Sequence, residues 1–336
     1  TRKESSAASD VYKRQERHVS NTLRLIGRRL LQLPFMILGI TFLVFFVMSF
    51  SPVDPARTAL GETASPEALQ AYREQYGLDQ PLLVRYFTFL VGLLQGNLGT
   101  YSARSLPVID EVVRAFPVTL ALTFLGLLIA VIVAFAIGVL AAVYRDRWPD
   151  QLIRIIGVAS LSTPSFWLAI LLIQLFTLGL NVLPASGPLP DPWADPAGWL
   201  ARMALPAIAL AVPVIGQLSR VVRTSMVEEL DRDYVRTALG AGIPRTVVVG
   251  RNVLRNALIT PVTVLGLRIG YLIGGAVVIE IIFAIPGMGT LILNGVTNNE
   301  PNLVQGVTLA VSLAFVVINI IVDLLYVLIN PRIRAV

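Results

Sequence analysis

The chain has no cysteine, so neither a disulfide nor a thiolate nucleophile can form. Its one histidine, His18, sits in a polar leader, which leaves no material for a histidine metal centre or a Ser/His catalytic pair. Lysine occurs only at Lys3 and Lys13. A phosphate-cradling G-x-x-x-x-G-K-[ST] loop needs a lysine directly after its glycines, so this polypeptide is not by itself a P-loop nucleotidase. Charge is scarce as well: 14% of residues are charged and 55% are hydrophobic, and mean hydropathy is +0.73. Those values exclude an ordinary soluble domain and define an integral membrane protein. The formal charge of +6 does not indicate nucleic acid, because 25 of the 27 basic residues are arginines placed mostly at the ends of apolar runs. Membrane topology accounts for that pattern.

What is present is a set of long uncharged runs. A helix crossing a hydrocarbon core of ~30 Å needs about 20 residues. Runs near that length occupy residues 30–50, 115–144, 155–180, 203–219, 256–283 and 303–329. The fourth is short and is expected to be broken at Pro206 and Pro213; the fifth carries Arg268 and Glu280, and the sixth Asn319 and Asp323. Residues 1–22 form a polar leader without the apolar core of a cleavable signal peptide, and residues 1–20 of it read as a cytoplasmic tail or a non-native remnant. The remainder divides into a first transmembrane helix (23–51), an extracytoplasmic helical segment (52–111) and a five-helix core (112–334). In the segment, residues 66–76 and 82–94 have helical composition, the latter suited to lying against the membrane or the bundle. The expected class is an all-α membrane protein of six transmembrane helices, with nothing to suggest β structure. With the chain starting inside, twenty basic residues fall on cytoplasmic segments and six on outer ones, which places both termini in the cytoplasm.

Seven arginines fall within residues 220–256, where Arg220, Arg223, Arg232, Arg236, Arg245, Arg251 and Arg255 are spread through and around a short helical cassette at residues 233–242. Asp233 is a competent N-cap, and Ala238, Gly240, Ala241 and Gly242 leave a slim surface stopped by Gly242 and Pro244. Such a helix can enter a partner's groove or pack against the inner ends of the spans. Inside the membrane, ionisable groups cost roughly 2.5 to 3.5 kcal/mol each on insertion scales, so Arg268 and Glu280 either face a water-filled pathway or act as structural glue. Twelve residues apart, they lie ~18 Å from each other along a helix, which excludes a direct bond. Asn319 and Asp323 are one turn apart, as a structural contact requires. Gly274-Gly275 permits close helix approach, and Ile285-Pro286-Gly287-Met288-Gly289 marks a turn after the fifth span.

The motif Asp233-Tyr234-Val235-Arg236-Thr237-Ala238, with Gly242 four residues on and Arg251-Asn252-Val253-Leu254-Arg255-Asn256-Ala257-Leu258 after it, resembles the coupling loop of permeases in the dipeptide, oligopeptide and nickel family of ATP-binding-cassette importers. The head reads Arg236-Thr237-Ala238 in place of the generic Glu-Ala-Ala. Gly77-Leu78-Asp79-Gln80-Pro81, Arg85-Tyr86 and Gly96-Asn97-Leu98-Gly99 resemble that family's extracytoplasmic segment, with Asn97 at a usual aspartate. Gly275-Ala276-Val277-Val278-Ile279-Glu280, Phe283 and Pro286-Gly287-Met288-Gly289 resemble its fifth span and turn, and Val322-Asp323-Leu324-Leu325-Tyr326 with Asn330-Pro331-Arg332 its end.

The resemblance covers about residues 23–334 and implies the type I importer permease fold. It implies partners: a second homologous permease, two ATPase subunits that carry ATP and Mg, and an extracytoplasmic substrate-binding protein. Asp233, Tyr234, Arg236, Thr237, Ala238 and Gly242 would then contact an ATPase. The expected cargo is di- or oligopeptides, a lean supported by the attraction of Arg268 for a peptide carboxylate, with nickel, glutathione or haem-like compounds as alternatives. An intramembrane enzyme or a membrane anchor stands as the reading from another class; no cofactor, metal or catalytic residue is expected in this chain.

Overall fold

The computed structural model describes residues 27, 31–61, 63–101 and 106–329; the side chains of residues 267 and 323–329 lie outside this description, as do the leader and Asn330-Pro331-Arg332. The first span is α1 (Leu31–Ser49). Beyond it come α2 (Pro55–Leu60) and α3 (Pro66–Gln75), each with proline at its first position and a side-chain cap: Asp54 accepts from the Ala56 N–H and Ser65 from the Ala68 N–H. Helix α4 (Leu82–Leu94) then leads to β1 (Thr100–Tyr101) and β2 (Leu106–Pro107), paired antiparallel with Thr100 opposite Pro107. This small ladder corrects the expectation of no β structure; a two-residue strand has no periodicity for a sequence to display.

Helix α5 (Val108–Val143) begins earlier than the expected second span because Asp110 and Glu111 suit its first turn. Its 36 residues reach about 54 Å, more than a hydrocarbon core. Ala115, Thr119, Leu122, Gly126, Ala130, Ala134, Gly138 and Ala141 recur every three or four residues and are buried. This stripe lies against α8 (Pro196–Leu230), the central helix of the bundle. At Gly138 a Cβ would come within 2.7 Å of the Val222 Cβ and 2.8 Å of the Ser219 carbonyl, so glycine sets the helix separation there.

Two expectations about the spans are corrected. The fourth is not a short broken helix: α8 is continuous for 35 residues through Pro206 and Pro213. Each proline removes one N–H, but packing against α5, α6, α7 and α12 holds the helix on. The third is not one straight span: α6 (Trp148–Ser162) and α7 (Ser165–Leu172) meet at 103°. Pro164 drives Thr163 into extended geometry (φ −91°, ψ 116°), and the Thr163 hydroxyl donates to the Ala159 carbonyl at 2.8 Å. Helix α7 continues in wider π-type turns over Ile173–Gly179.

After α9 (Asp233–Gly240) and α10 (Arg245–Val247), π-type turns at Val248–Val253 and α11 (Leu254–Ala257) lead into α12 (Ile259–Ile282). The turn after α12 opens a further apolar helix that the sequence reading did not anticipate, α13 (Met288–Thr297), before α14 (Pro301–Ile329). Among the described residues, four helices are individually long and apolar enough to span a membrane, and up to six spans result if each bent pair counts as one.

Candidate functional site

Helix α9 stands at the arginine-rich end of the bundle. Val235 is its buried anchor and packs with Val222, Met226, Val248 and Val253, with Tyr234 and Ala238 beside it. Burying a valine contributes about 1.5 kcal/mol or more, enough to fix one face of a two-turn helix. The Tyr234 hydroxyl donates to Glu229 at 2.9 Å and accepts from Asn256 at 3.4 Å. Burial raises the Tyr234 phenol above its ordinary pKa, so it stays a donor at neutral pH.

The other face is open. Asp233, Arg236, Thr237 and every residue from Leu239 to Val247 are exposed, including Leu239, Ile243 and Val247. Asp233 occupies the first helical position instead of the expected N-cap, which is Arg232 without a side-chain bond; the Asp233 carboxylate still lies at the favourable end of the helix dipole. It pairs loosely with Arg236 at 3.7 Å, and both side chains are largely solvated. The Thr237 hydroxyl turns inward to the Asp233 carbonyl at 3.1 Å.

Gly242 ends the helix in a Schellman turn. The Ile243 N–H donates to the Ala238 carbonyl at 3.2 Å and the Gly242 N–H to the Leu239 carbonyl at 3.0 Å, with Gly242 at φ +80°. Space around Gly242 is open, so its requirement for glycine is conformational.

Behind α9 the neighbouring ends of three helices are braced. Arg223 on α8 donates two hydrogen bonds of 2.6 Å to the fully buried Asp150 on α6. The Asp146 N–H donates to the same carboxylate at 2.9 Å, and Arg145 pairs with Asp231 at 2.8 Å. These contacts tie the ends of α5, α6 and α8 together beside α9. Sequence reading missed this brace: a lone aspartate two residues into α6 carries no signal until α8 is beside it.

The expected path residues separate. Arg268 is half-buried, with its guanidinium 5.9 Å from the Tyr271 ring centroid and no ion-pair partner among the described residues. Glu280 is fully buried. Its carboxylate accepts from the Gly289 N–H at 2.7 Å at the N-terminus of α13, so it caps that helix. The Met288 N–H donates to Thr119 on α5 at 2.9 Å. A Cβ on Gly287 would meet the Glu280 carboxyl at 2.4 Å, which explains the glycine in the Pro286-Gly287-Met288-Gly289 turn.

Gly275 approaches Leu210 of α8, whereas Gly274 faces open space. Asn319 donates to its own helix, to the Phe315 carbonyl at 2.9 Å, and beside it a Cβ on Gly270 would meet Phe315. The expected Asp323 contact lies outside the described side chains.

Arg202 on α8, counted from sequence only as an outer charge, is buried and donates to the carbonyls of Ala185 (2.7 Å) and Phe283 (2.5 Å). It thereby ties the loop before α8 to the end of α12.

A bundle of apolar spans that offers a capped helix at its arginine-rich end is a transport permease in its architecture. The chain belongs to the family of binding-protein-dependent transport system inner membrane components, whose core model matches residues 134–335 and whose N-terminal model matches residues 22–123. A probable D,D-dipeptide transport system permease of Escherichia coli is 38% identical, over 92% of this chain and 97% of its own. A glutathione transport system permease of Salmonella typhimurium is 39% identical over 93% and 99%. A putative peptide transport system permease of Brucella abortus is 40% identical over 92% and 98%. The chain is thus an importer permease of the inner membrane, not an enzyme.

Proposed function

We propose that this permease pairs with a second homologous permease, two ATPase subunits and an extracytoplasmic binding protein to import small peptides. The observation that carries the reading is the two-faced α9: Val235 and Tyr234 lock one side to the bundle, while Arg236 and the Leu239–Val247 tip project freely. ATP and Mg would bind the ATPase subunits and supply the energy. In this reading α9 docks in an ATPase groove, both termini are cytoplasmic, and closure of the ATPases draws the docked helices together. The bundle then tips between inward- and outward-open forms, because the two forms differ in affinity for ATP-bound partners. Asp233, Tyr234, Arg236, Thr237, Ala238 and Gly242 are the coupling residues.

Cargo of the peptide class, glutathione included, is supported by relatives of near-equal identity named for dipeptide, peptide and glutathione transport. Arg268 is proposed to face the path, where its charge attracts a peptide carboxylate and repels a divalent cation. The test is affinity purification of the solubilised chain from its native membrane with mass spectrometry. Two P-loop subunits and a second permease are expected; recovery of the chain alone in mild detergent would overturn the reading.

A further inference from the structure

Helix α4 belongs to the segment between the first and second spans, at the opposite end of the bundle from α9, yet it reaches down the side of α1. The Tyr86 hydroxyl donates to the Leu38 carbonyl at 3.0 Å and lies 2.9 Å from the Thr41 hydroxyl. Leu38 is eleven residues inside the Ser49 end of the span, about 16 Å along the helix. Phe42, Phe45 and Phe89 close around Tyr86, with centroid separations of 5.2 Å for Phe42 and Tyr86 and 5.5 Å for Phe45 and Phe89.

Three faces of α4 have three environments. Tyr86, Phe89 and Leu93 pack toward α1 and the bundle. Arg85, Thr88 and Gly92 line a cavity of about 530 Å³ shared with Asp54, Arg73, Asp79 and Asn302. Leu83, Phe87, Val91 and Leu94 form the third face, which carries no charge and is open; Phe87 is 64% and Leu94 88% exposed. On α1, Phe42 and Phe46 are also exposed, and Phe42 packs edge-on against Tyr86, the chain neighbour of Phe87 in the stripe.

We infer that α4 is an interfacial helix seated in the outer leaflet, with Leu83, Phe87, Val91 and Leu94 in the acyl boundary and Arg85 turned up into the polar cavity. The lone charge of α4 points away from the apolar stripe, the arrangement a helix lying in the plane of the membrane requires. Nearness to the exposed apolar flank of α1, and the depth fixed by Tyr86, select lipid over an aqueous protein as the occupant. The inference rests on the fold and the membrane class, independent of cargo.

The native absence of cysteine permits a direct test with single-cysteine variants of the full chain in its complex. Phe87→Cys, Val91→Cys and Leu94→Cys are labelled with an environment-sensitive fluorophore, with Gln75→Cys on α3 as the aqueous control, in vesicles of phosphatidylethanolamine and phosphatidylglycerol. All four side chains are exposed, so the substitutions remove no core packing. With brominated acyl chains, the α4 labels should lose roughly half of their fluorescence and the Gln75 label almost none, because only the stripe would touch the acyl region that carries the bromines. Water-like emission from the α4 positions overturns the inference. So does blue-shifted emission without bromine quenching, which would place protein on the stripe.

Discussion

Arg223 holds Asp150 through both guanidinium edges at 2.6 Å, joining the neighbouring ends of α8 and α6 just behind the helix that projects from the bundle. The carboxylate is fully buried, and it takes a third hydrogen bond from the Asp146 backbone. Removing the arginine leaves this buried carboxylate with only the Asp146 N–H and the half-exposed Arg154, 3.7 Å away, so most of its compensation is lost. Arg223→Ala should therefore destabilise the solubilised complex by about 3 kcal/mol, read as a lowered thermal midpoint. Arg223→Lys should recover only part of this loss, because an ammonium cannot make the paired geometry.

Gly242 needs positive φ and has open space around it, so a β-branched residue there is strained without clashing. Gly242→Val should cost about 1 to 2 kcal/mol locally and unwind the end of α9. The expected phenotype is normal membrane insertion with substrate uptake reduced and ATPase activity no longer stimulated by the binding protein. Normal uptake would show that the turn is dispensable.

Ala284 occupies the same turn position after α12, at φ +48°, with the Ile285 N–H on the Glu280 carbonyl at 2.9 Å and Arg202 on the neighbouring Phe283 carbonyl. An alanine there is held against its preference. Ala284→Gly should raise stability by about 1 kcal/mol, visible as a higher thermal midpoint with transport unchanged.

Asp54 answers to pH. Burial acts to raise its pKa, but the hydrogen bond from Arg73, the Ala56 N–H and the charges of Arg73 and Arg57 outweigh it and hold the carboxyl below its ordinary value. A depressed folded pKa stabilises fully above the unfolded value of ~3.9 and is lost as pH falls through the folded one. Opening of α2 and α3, read as hydrogen exchange corrected for the intrinsic pH dependence of amide exchange, should be flat from pH 7 to about 5 and quicken below about 4. Asp54→Asn should quicken it at neutral pH and flatten the acid response.

The six charge-free runs were legible because a helix spanning lipid must satisfy its own backbone and exclude charge over a fixed length. Residues 82–94 matched α4 for a related reason: Pro81 and Gly96 bracket a dense apolar pattern. What the sequence concealed depends on neighbours. Pro206 and Pro213 suggested breaks, yet burial of α8 on four helices carries it through both. The sharp bend falls instead at Pro164, inside the third apolar run, for which no break was expected. Glu280 suggested either a pathway or structural glue; what the sequence concealed is that the N-terminus of α13, nine residues on, donates to one carboxylate oxygen through the Gly289 N–H, while the other is buried without a hydrogen-bond partner. At α9 the short helix and its stop at Gly242 were readable, whereas the Asp150–Arg223 brace needed three dimensions.

The most direct test of the central claim is cross-linking from Arg236, whose side chain is 76% exposed on the free face of α9. A photoreactive amino acid placed there in native membranes should capture one protein of matching stoichiometry, identified by mass spectrometry as a P-loop ATPase, and capture should change when ATP is trapped. If the probe at position 236 yields no ATPase while the purified complex still contains one, α9 is not the coupling helix and the account fails.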